Sequence, residues 1–336
     1  MKKILVTGGL GFIGSHTVVE LLASGYEVFI IDDLSNTRIE VLDRIFEITN
    51  KKPTFFNIDL KNKELLKEFF RKNKVEGVIH FAAYKAVGES VEKPLTYYEN
   101  NISSLVYLLQ EIEIHSIKNF IFSSSCTVYG QADELPISEN APVKKATSPY
   151  GNTKQIGEAI IQDTTNAGDL RAIALRYFNP IGAHDSHLIG ELPLGVPQNL
   201  IPFVVQTALG IREKLTVFGD DYDTPDGTAV RDYIHVVDLA KAHIVALERL
   251  TNEQHKENFE VFNVGTGKGT SVKEVIKTFE KVTGLQLNYT IGTRRQGDIV
   301  AAFSNTSMAN KELKWKAQKT LEEAVLDAFE FQKKEK

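Results

Sequence analysis

Tyr150 and Lys154 are the residues whose types and spacing point most directly to proton chemistry. Ser148 and Pro149 are typical of a helix start, so the pair falls at positions i and i+4 on one helical face. A free tyrosine has a pKa of about 10, and bringing it near neutrality requires about 4 kcal/mol of preferential stabilisation of the phenolate. In a desolvated pocket, a lysine ammonium and a second nearby cation could supply that stabilisation.

A serine hydroxyl completes this candidate set. Ser123, Ser124 and Ser125 end a short apolar run that predicts a buried strand, and Ser125 precedes Tyr150 by 25 residues. The Tyr-x-x-x-Lys spacing alone is common on solvated helix faces and carries little weight. We therefore interpret Ser125, Tyr150 and Lys154 together as the candidate catalytic residues.

A glycine-rich segment near the start of the chain predicts a cofactor site. Three glycines follow a strand-like run and open a predicted helix: Gly8, Gly11 and Gly14, after Ile4–Thr7. They permit a tight turn beside a pyrophosphate, and the helix amino end presents free N–H groups to it. Asp32 lies 18 residues after Gly14, where a carboxylate accepts from both adenosine ribose hydroxyls. The segment predicts NAD, whose oxidised ring would be the second cation; a glycine turn without a ligand is the alternative.

Short apolar runs alternate with helix-like segments through the first half of the chain. Such runs suit strands buried on both faces of a parallel sheet, so we predict an α/β fold with a Rossmann-type doubly wound parallel sheet. The predicted strands are Ile4–Thr7, Val28–Asp32, Thr54–Asn57, Gly77–Phe81, Phe120–Ser123 and Ala172–Tyr177. The predicted helices are Ile13–Ser24, Leu65–Lys72, Leu95–His115 and Pro149–Asn166.

The pattern loosens after residue 178, where loops rich in Gly, Pro and Asp separate shorter elements. We predict an NAD-binding domain over residues 1–178, to which a segment at about 230–265 returns. Residues 179–336 would form mainly a smaller mixed α/β C-terminal lobe that binds the substrate. Ser271 and Glu274 have the spacing of a capping box and predict a helix start.

Composition and charge exclude several classes of protein. A net charge of −5 over 336 residues lacks the basic excess of general nucleic-acid binders. The single cysteine excludes an internal disulfide, and the eight histidines show no metal-ligand spacing. The N-terminal apolar run breaks at Thr7-Gly8-Gly9, which disfavours a secretory signal, and no run approaches the ~18 apolar residues of a membrane span. We expect a cytoplasmic protein with no metal and no nucleic-acid or membrane partner.

Several motifs resemble those of the extended short-chain dehydrogenase/reductase family. They are Gly-Gly-x-Gly-Phe-Ile-Gly, Phe-Ser-Ser-Ser-x-Thr-Val-Tyr-Gly, Ser-Pro-Tyr-Gly-x-x-Lys and Arg-Tyr-Phe-Asn-Pro. More selective stretches are similar to the UDP-glucose 4-epimerases of that family: Lys85-Ala-Val-Gly-Glu-Ser-Val, Arg176-Tyr-Phe-Asn-Pro-Ile-Gly-Ala-His, Asp226-Gly-Thr-Ala-Val-Arg-Asp-Tyr-Ile-His-Val and Arg294-Arg-Gln-Gly-Asp298. The resemblance runs in order from about residue 2 to residue 330.

The resemblance implies an epimerase that interconverts UDP-galactose and UDP-glucose. Tyr150 would take the proton of the sugar 4-hydroxyl while C4 gives its hydride to NAD. Ser125 would steer that proton, and Lys154 would lower the Tyr150 pKa and hold the nicotinamide ribose. The 4-keto sugar would then rotate and take the hydride back on its other face. A homodimer through the Leu95–His115 and Pro149–Asn166 helices is also implied.

The resemblance further assigns binding residues by position. For NAD they are Gly8, Gly11, Phe12, Ile13, Gly14, Asp32, Asp33, Leu34, Ser35, Asn36, Thr37, Asp59, Leu60, Phe81, Ala82, Ala83, Lys85, Asn100, Ser125, Tyr150, Lys154 and Phe178. For the UDP-sugar they are Lys85, Ser125, Tyr150, Asn179, Asn199, Leu200, Thr216, Val217, Phe218, Arg231, Arg295, Asp298 and Ala302. Guanidinium groups pair well with a diphosphate, although either arginine alone could form a surface salt bridge.

Ala302 stands where the resemblance implies a pocket wall at the sugar 2-position. A small residue there is associated with acceptance of N-acetylated sugars, so we expect UDP-GlcNAc and UDP-GalNAc to be substrates as well. Other functions stay open: a nucleotide-sugar dehydrogenase or reductase, an epimerase mainly for N-acetylated UDP-sugars, and a non-catalytic NAD sensor. The resemblance also disfavours dehydration. Related 4,6-dehydratases carry an acidic pair after the catalytic Thr or Ser, which eliminates water, whereas the corresponding stretch here, Ser125-Cys-Thr, carries no carboxylate.

Overall fold

A computed structural model describes residues 2–295 and 298–336. These residues form two compact units, and each is described by itself. The first unit comprises residues up to 130, residues 142–177 and residues 240–262, and the second comprises 131–141, 178–239 and the rest from 263. Residues 131–141 thus cluster with the second unit, whereas the sequence-based boundary placed them in the first domain. The assignment of NAD and substrate to separate domains stays a prediction.

The strands and helices are numbered here in chain order. The strands are β1 (Lys3–Thr7), β2 (Glu27–Asp32), β3 (Thr54–Asn57), β4 (Gly77–His80), β5 (Asn119–Ser125), β6 (Arg171–Tyr177), β7 (Asn179–Ile181), β8 (Leu215–Phe218), β9 (Val230–Arg231), β10 (Tyr233–His235), β11 (Phe259–Val264), β12 (Thr270–Ser271), β13 (Tyr289–Gly292) and β14 (Ala301–Ala302). The α-helices are α1 (Phe12–Ala23), α2 (Val41–Thr49), α3 (Lys63–Lys72), α4 (Val87–Glu92), α5 (Pro94–Tyr98), α6 (Ser104–Ile114), α7 (Pro149–Ala167), α8 (Leu200–Ala208), α9 (Val236–Thr251), α10 (Val272–Thr283) and α11 (Leu321–Glu335). Glu99–Ser103 and Ala309–Leu313 are π-helical, and Cys126–Tyr129 is a 3-10 turn.

A seven-stranded sheet organises the first unit, in the order β11-β6-β5-β4-β1-β2-β3. The pairings from β6 through β3 are parallel. Residues of both strand faces are buried, as in Ile4, Leu5 and Val6 of β1, which are fully shielded from solvent. This burial explains the continuous apolar runs. The order β3-β2-β1-β4-β5-β6 is that of a doubly wound sheet, so the predicted Rossmann-type fold is confirmed.

The glycine turn between β1 and α1 lies where the strand order reverses. Gly8 has a φ of +69°, and a Cβ there would lie 2.7 Å from the backbone nitrogen of Ala82. A Cβ on Gly14 would lie 2.1 Å from the Gly8 carbonyl oxygen, so only glycine lets α1 pack this closely against the turn. A ligand crevice is expected outside the carboxyl ends of the strands at such a reversal.

The segment predicted as one helix over Leu95–His115 is divided into α5, a π-helical turn and α6. Asn101 in that turn explains the division, because its amide makes specific tertiary hydrogen bonds. Its Oδ1 accepts from the Tyr84 N–H at 2.8 Å, and its Nδ2 donates to Thr153 Oγ1 at 3.0 Å. The sequence pattern also missed α2, a short helix in which Ile45 is buried, and it ended β5 two residues before Ser125.

The second unit is a mixed α/β assembly. Small sheets pair β10 with β7, β12 with β9 and β14, and β13 with β8. Helices α8, α10 and α11 contribute apolar side chains to one core cluster, including Val204, Val275 and Val325. The predicted capping box of α10 is confirmed, because Ser271 Oγ accepts from the Glu274 N–H at 3.1 Å and Glu274 Oε2 accepts from the Ser271 N–H at 2.7 Å.

Membrane-spanning helices and metal-binding groups are both absent from residues 2–295 and 298–336. Their helices include none with the length and apolar character needed to cross a membrane. The same ranges contain no group of three or more His, Cys, Asp or Glu residues placed to hold a metal ion.

Gly14→Ala should lower the free energy of unfolding by about 2 kcal/mol or more, because the new Cβ must displace backbone of the glycine turn. Gly168→Ala is the matched control, since its Cβ would have no neighbour nearer than 3.8 Å, and its change should stay within about 0.5 kcal/mol. Urea unfolding of the purified variants measures both values. Equal stability of the two variants would show that the tight packing at Gly14 is not required.

Candidate active site

Helix α7 carries two of the three candidate catalytic residues in the first unit. Ser148 caps the helix, as predicted, because its Oγ accepts from the Gly151 N–H at 3.1 Å. Tyr150 and Lys154 follow one turn apart and are both buried. Ser125 ends β5, and its hydroxyl hydrogen bonds to Tyr150. The structure therefore brings the three candidate residues together in one place.

Local hydrogen bonds hold the Ser125 hydroxyl. Its Oγ accepts from the Thr127 N–H at 3.2 Å and from Thr127 Oγ1 at 3.0 Å, which begins the 3-10 turn after β5. With both lone pairs engaged, the Ser125 proton is free to point toward another acceptor. Ser125 can therefore donate to an oxygen that bears developing charge at Tyr150 or on a substrate.

The protein groups around Tyr150 hold its pKa above the ordinary value. Burial has the largest effect, the neighbouring Tyr177 hydroxyl adds to it, and the hydrogen bond with Ser125 opposes both. A pKa near neutrality therefore requires positive charge beyond what these groups supply.

Lys154 lies within the same cluster but directs its ammonium group to the backbone. Nζ donates to the Ser123 carbonyl at 2.7 Å and lies 5.9 Å from the centre of the Tyr150 ring. Burial lowers the pKa of Lys154 to about 8, and the Glu158 carboxylate opposes that effect. Lys154 is thus mainly an ammonium at neutral pH. Its expected effect on the Tyr150 pKa stays a prediction.

Four further residues beside this cluster were not among the predicted site residues: Tyr177, Glu158, Arg176 and His80. Tyr177 Oη and Ser123 Oγ are 2.6 Å apart. Glu158 is buried with Arg176, with two hydrogen bonds of 2.9 and 2.5 Å between them. His80 at the end of β4 contacts Thr7 Oγ1 through Nδ1 at 2.7 Å. Only Glu158 had a usable signal, since it continues the i, i+4 spacing of Tyr150 and Lys154.

The start of α1 has the properties of a pyrophosphate site. Gly11 is its N-cap and provides no side-chain cap, so N–H groups of the first turn, at Phe12, Ile13 and Gly14, are available to a ligand. A Cβ on Gly11 would meet one atom within 4 Å, the Gly8 carbonyl oxygen at 3.3 Å. The space beside Gly11 is therefore open. Backbone donors, open space and the positive end of the helix dipole together suit a dinucleotide.

Asp32 ties the end of β2 to the glycine turn. Its Oδ2 accepts from the Leu10 N–H at 3.1 Å and its Oδ1 from the Leu34 N–H at 3.0 Å. Burial raises the pKa of Asp32, and these two hydrogen bonds oppose the rise. Thr37 Oγ1 also donates to the Leu10 carbonyl, at 2.6 Å. The carboxylate is thus held beside the turn, where a ribose bound with the pyrophosphate would extend.

The other predicted NAD residues follow the neighbouring strands of the first unit, except Phe178, which belongs to the second unit. After β2 come Asp33, Leu34, Ser35, Asn36 and Thr37, after β3 come Asp59 and Leu60, and after β4 come Phe81, Ala82, Ala83 and Lys85. Asn100 lies in the π-helical turn, and its Oδ1 accepts from Lys61 Nζ at 2.8 Å. The Lys85 ammonium lies 5.9 Å from the centre of the Phe12 ring. The members of this set in the first unit fit a ligand that runs along the carboxyl ends of its strands.

Seven of the predicted substrate residues gather in two clusters of the second unit. Arg231 contacts Asp298, and Ala302 pairs with Arg231 between β14 and β9. The Arg295 guanidinium lies 4.0 Å from the centre of the Phe218 ring, at the end of the strand that carries Thr216 and Val217.

Three more predicted substrate residues begin elements of the second unit. Asn179 begins β7 and its N–H donates to the Asp232 carbonyl at 2.9 Å. Asn199 and Leu200 begin α8, where Asn199 Nδ2 donates to Glu191 Oε1 at 2.6 Å. The structure thus joins Arg231, Asp298 and Ala302 by direct contact, and it shows no such contact with Asn179 or Asn199 among the residues described.

Comparison with known proteins gives the family. Residues 4–265 match the NAD dependent epimerase/dehydratase family. A UDP-glucose 4-epimerase of Bacillus subtilis (strain 168) is 50% identical over 330 residues, covering 98% of this chain and 96% of that protein.

Two solved structures are similar over nearly the whole chain. A UDP-glucose-4-epimerase from Stenotrophomonas maltophila, with bound NAD and formylated UDP-arabinopyranose, has a TM-score of 0.96 and 43% identity, covering 100% of this chain and 99% of that one. A UDP-glucose 4-epimerase from Bifidobacterium longum, in complex with NAD+ and UDP, has a TM-score of 0.95 and 47% identity, covering 99% of this chain and 98% of that one. The resemblance to UDP-glucose 4-epimerases is confirmed. The chain belongs to the NAD dependent epimerase/dehydratase family.

Proposed function

We propose that this protein interconverts UDP-galactose and UDP-glucose by inverting C4 of the sugar, with NAD as a resident cofactor. The observation that carries the proposal is the assembly of Ser125, Tyr150 and Lys154 at the carboxyl end of β5. A relative that is 50% identical and named UDP-glucose 4-epimerase supports the substrate. A net dehydrogenase or reductase would need an exchanging cofactor, whereas epimerisation returns the cofactor to its starting state in each turnover.

NAD, when bound, accepts the hydride of C4 and returns it within the same turnover. The residues that would hold its pyrophosphate are Gly11, Phe12 and Ile13 at the start of α1, and Asp32 would hold the adenosine ribose. Phe81, Ala82 and Ala83 would flank the path toward the catalytic residues. Lys154 would hold the nicotinamide ribose.

Tyr150 is the proton carrier of the proposed reaction. Its phenolate oxygen takes the proton of the sugar 4-hydroxyl as C4 is oxidised, becoming the neutral phenol, and returns that proton to the 4-oxygen after the sugar has turned over. Ser125 donates to the sugar oxygen and orients it toward Tyr150. Proton transfer by a positioned side chain contributes roughly 10²–10⁴ to the rate. Burial keeps water away from the transferred proton.

Arg231 and Arg295 would bind the diphosphate of the nucleotide-sugar. Arg231 pairs with Asp298 in the second unit, and two oxygens of a phosphate group, like those of a carboxylate, can accept from two N–H groups of a guanidinium. Phe218, under Arg295, offers an aromatic face to the uracil. Asn179, Asn199, Leu200, Thr216 and Val217 complete the proposed set, together with Lys85 from the first unit.

We also propose that N-acetylated UDP-sugars are substrates. Ala302 is buried and pairs directly with Arg231 across β14 and β9, so a bulky residue there would enter the region next to the proposed diphosphate site. The single methyl group of alanine leaves that region open to a 2-acetamido group.

A homodimer and a cytoplasmic location belong to the proposal as well. Leu95 and Val91 are 81% and 62% exposed, and exposed apolar side chains of this kind favour burial by a second subunit. Light scattering should give twice the chain mass, and a monomer at micromolar concentration would contradict the dimer. The cytoplasmic location rests on the single cysteine of the chain, which suits a reducing compartment, and is tested by fractionation of cells that produce the protein.

The proposed function is tested by adding UDP-galactose to purified protein without added NAD and measuring UDP-glucose by chromatography. The wild-type protein should convert it, and Tyr150→Phe should lower kcat by at least about 100-fold, because the phenyl ring cannot carry the proton. Tyr26→Phe, at the amino end of β2, is the control and should match the wild type. No conversion by the wild type, even with NAD supplied, would refute the substrate assignment.

The pKa of Lys154 predicts an alkaline limit to activity. Since burial lowers this pKa to about 8, Lys154 loses its charge as the pH rises through that value, and kcat/KM should fall with it. In Lys154→Met, the residual kcat/KM should be at least about 100-fold lower at pH 7 and should lack this alkaline limb. A variant that keeps the same limb would show that another group controls it.

Ala302→Tyr should lower kcat/KM for UDP-GalNAc by at least about 10-fold while UDP-galactose turnover changes little, because the ring occupies the space of the acetamido group. Ala301→Tyr is the control, since its side chain projects from the opposite face of β14, and it should keep both activities. Unchanged UDP-GalNAc turnover in Ala302→Tyr would exclude Ala302 from the pocket wall.

A further inference from the structure

A buried ion pair lies one helical turn beyond Lys154. Glu158 follows Lys154 by four residues on α7, and it is 7% exposed, with Arg176 at 6%. Arg176 Nε donates to Glu158 Oε1 at 2.9 Å, and Nη2 donates to Oε2 at 2.5 Å. Ser124 Oγ donates to Oε1 at 2.5 Å, and the Arg176 guanidinium lies 4.8 Å from the centre of the Tyr129 ring. The carboxylate is therefore fully engaged and restricted to one position.

These contacts join α7 to two neighbouring strands next to the catalytic residues. Ser124 and Arg176 are directly paired between β5 and β6, and the next pair along is Ser125 with Tyr177. Lys154 donates to the carbonyl of Ser123, and Ser124 donates to Glu158. Consecutive residues of β5 thus bind consecutive turns of α7. This arrangement fixes how far along β5 the helix can slide.

We propose that Glu158, held by Arg176 and Ser124, is a positioning residue that sets the register of α7 against β5 and so holds Lys154 beside Tyr150. It acts through Lys154 and touches neither substrate nor cofactor. The inference rests on the proposed epimerase function. A displacement of about 1 Å at reacting groups can lower the rate on the order of 10²-fold. A fixed register of α7 against β5 prevents such a displacement of Tyr150 and Lys154.

The charged groups around Lys154 give this positioning role an electrostatic consequence. On α7 these groups are Glu158 and Tyr150, and on β4 it is His80. Arg176 on β6 reaches the region as the ion-pair partner of Glu158. Burial lowers the pKa of His80 to about 3, so His80 is neutral at physiological pH. Tyr177 on β6 and Cys126 face Tyr150. Glu158 is then the carboxylate that favours the charged form of Lys154.

A second buried pair in the same unit supplies a matched control. Arg249 donates to Glu260 through Nε at 2.7 Å and Nη2 at 2.8 Å, and its guanidinium lies 5.7 Å from the centre of the Phe262 ring. Glu260 also accepts from the Lys256 N–H at 3.0 Å, which parallels the bond from Ser124 to Glu158. Both pairs have similar burial and geometry. Only the Glu158 pair adjoins the candidate catalytic residues.

The experiment compares Glu158→Gln with Glu260→Gln in the NAD-loaded protein, using kcat, KM and the pH profile for UDP-galactose. Both variants should lose thermal stability, because each leaves a buried arginine without its carboxylate. Glu158→Gln should lower kcat at least about 10-fold with little change in KM, and the alkaline limb of kcat/KM should move to lower pH. Glu260→Gln should keep the wild-type kcat and pH profile. Equal kinetics in the two variants would overturn the proposal.

Two further variants keep the test decisive if Glu158→Gln folds poorly. Ser124→Ala removes one hydrogen bond to Glu158 and should lower kcat severalfold with a small loss of stability. The double variant Glu158→Leu with Arg176→Met replaces the ion pair by apolar groups of similar volume, which often restores stability. It should fold and remain slow. A double variant with wild-type kcat and pH profile would show that the pair has a structural role only.

A readout without turnover separates this inference from the proposed function. NMR of lysine-labelled protein, with the Lys154 signal identified by its loss in Lys154→Met, gives the Lys154 pKa directly. That pKa should fall in Glu158→Gln and stay at the wild-type value in Glu260→Gln. An unchanged Lys154 pKa in Glu158→Gln would refute the electrostatic role. If the wild type does not epimerise UDP-galactose, the proposed function fails while this titration still stands.

Discussion

Burial of ionisable groups is the constraint on which the site depends. Burial raises the pKa of Tyr150 and lowers that of Lys154 to about 8, so each is driven toward its neutral form. The proposed chemistry needs the opposite, a tyrosine that releases a proton beside an ammonium that keeps one. The carbonyl of Ser123 and the carboxylate of Glu158 stabilise the ammonium, and Ser125 stabilises a negative oxygen. The rest of the first unit can be understood as the scaffold for these few groups.

The doubly wound sheet provides that scaffold through the ends of its strands. The glycine turn follows β1, Asp32 ends β2, and Ser125 ends β5, so the proposed cofactor and catalytic residues share the carboxyl edge of one sheet. Helix α7 then delivers Tyr150 and Lys154 at adjacent turns. Because each contribution comes from the end of a buried strand or the first turns of a capped helix, the proposed site has little freedom to distort.

The sequence was most informative at positions where a single physical requirement restricts the residue type. Gly14 could be recognised because its tight packing excludes a side chain, and Ser148 because an N-cap needs a short acceptor. It was least informative where a role depends on tertiary partners. Ser123, Ser124 and Ser125 look alike in the chain, yet the first bonds Tyr177, the second Glu158 and the third Thr127. The π-helical turn at Asn101 likewise arises from distant hydrogen bonds, which no local pattern encodes.

For Tyr150 to act as a base, positive charge from Lys154 and the oxidised cofactor must overcome the effect of burial on its pKa. The most direct measurement is an ultraviolet pH titration of the Tyr150 phenolate, taken as the difference between wild type and Tyr150→Phe. It is made with oxidised NAD bound and again after the bound cofactor is reduced. The Tyr150 pKa should lie near neutrality in the oxidised form and at least about one unit higher in the reduced form, because the reduced ring is uncharged. The same pKa in both forms, or one above 10 in the oxidised form, would show that these positive charges do not control it.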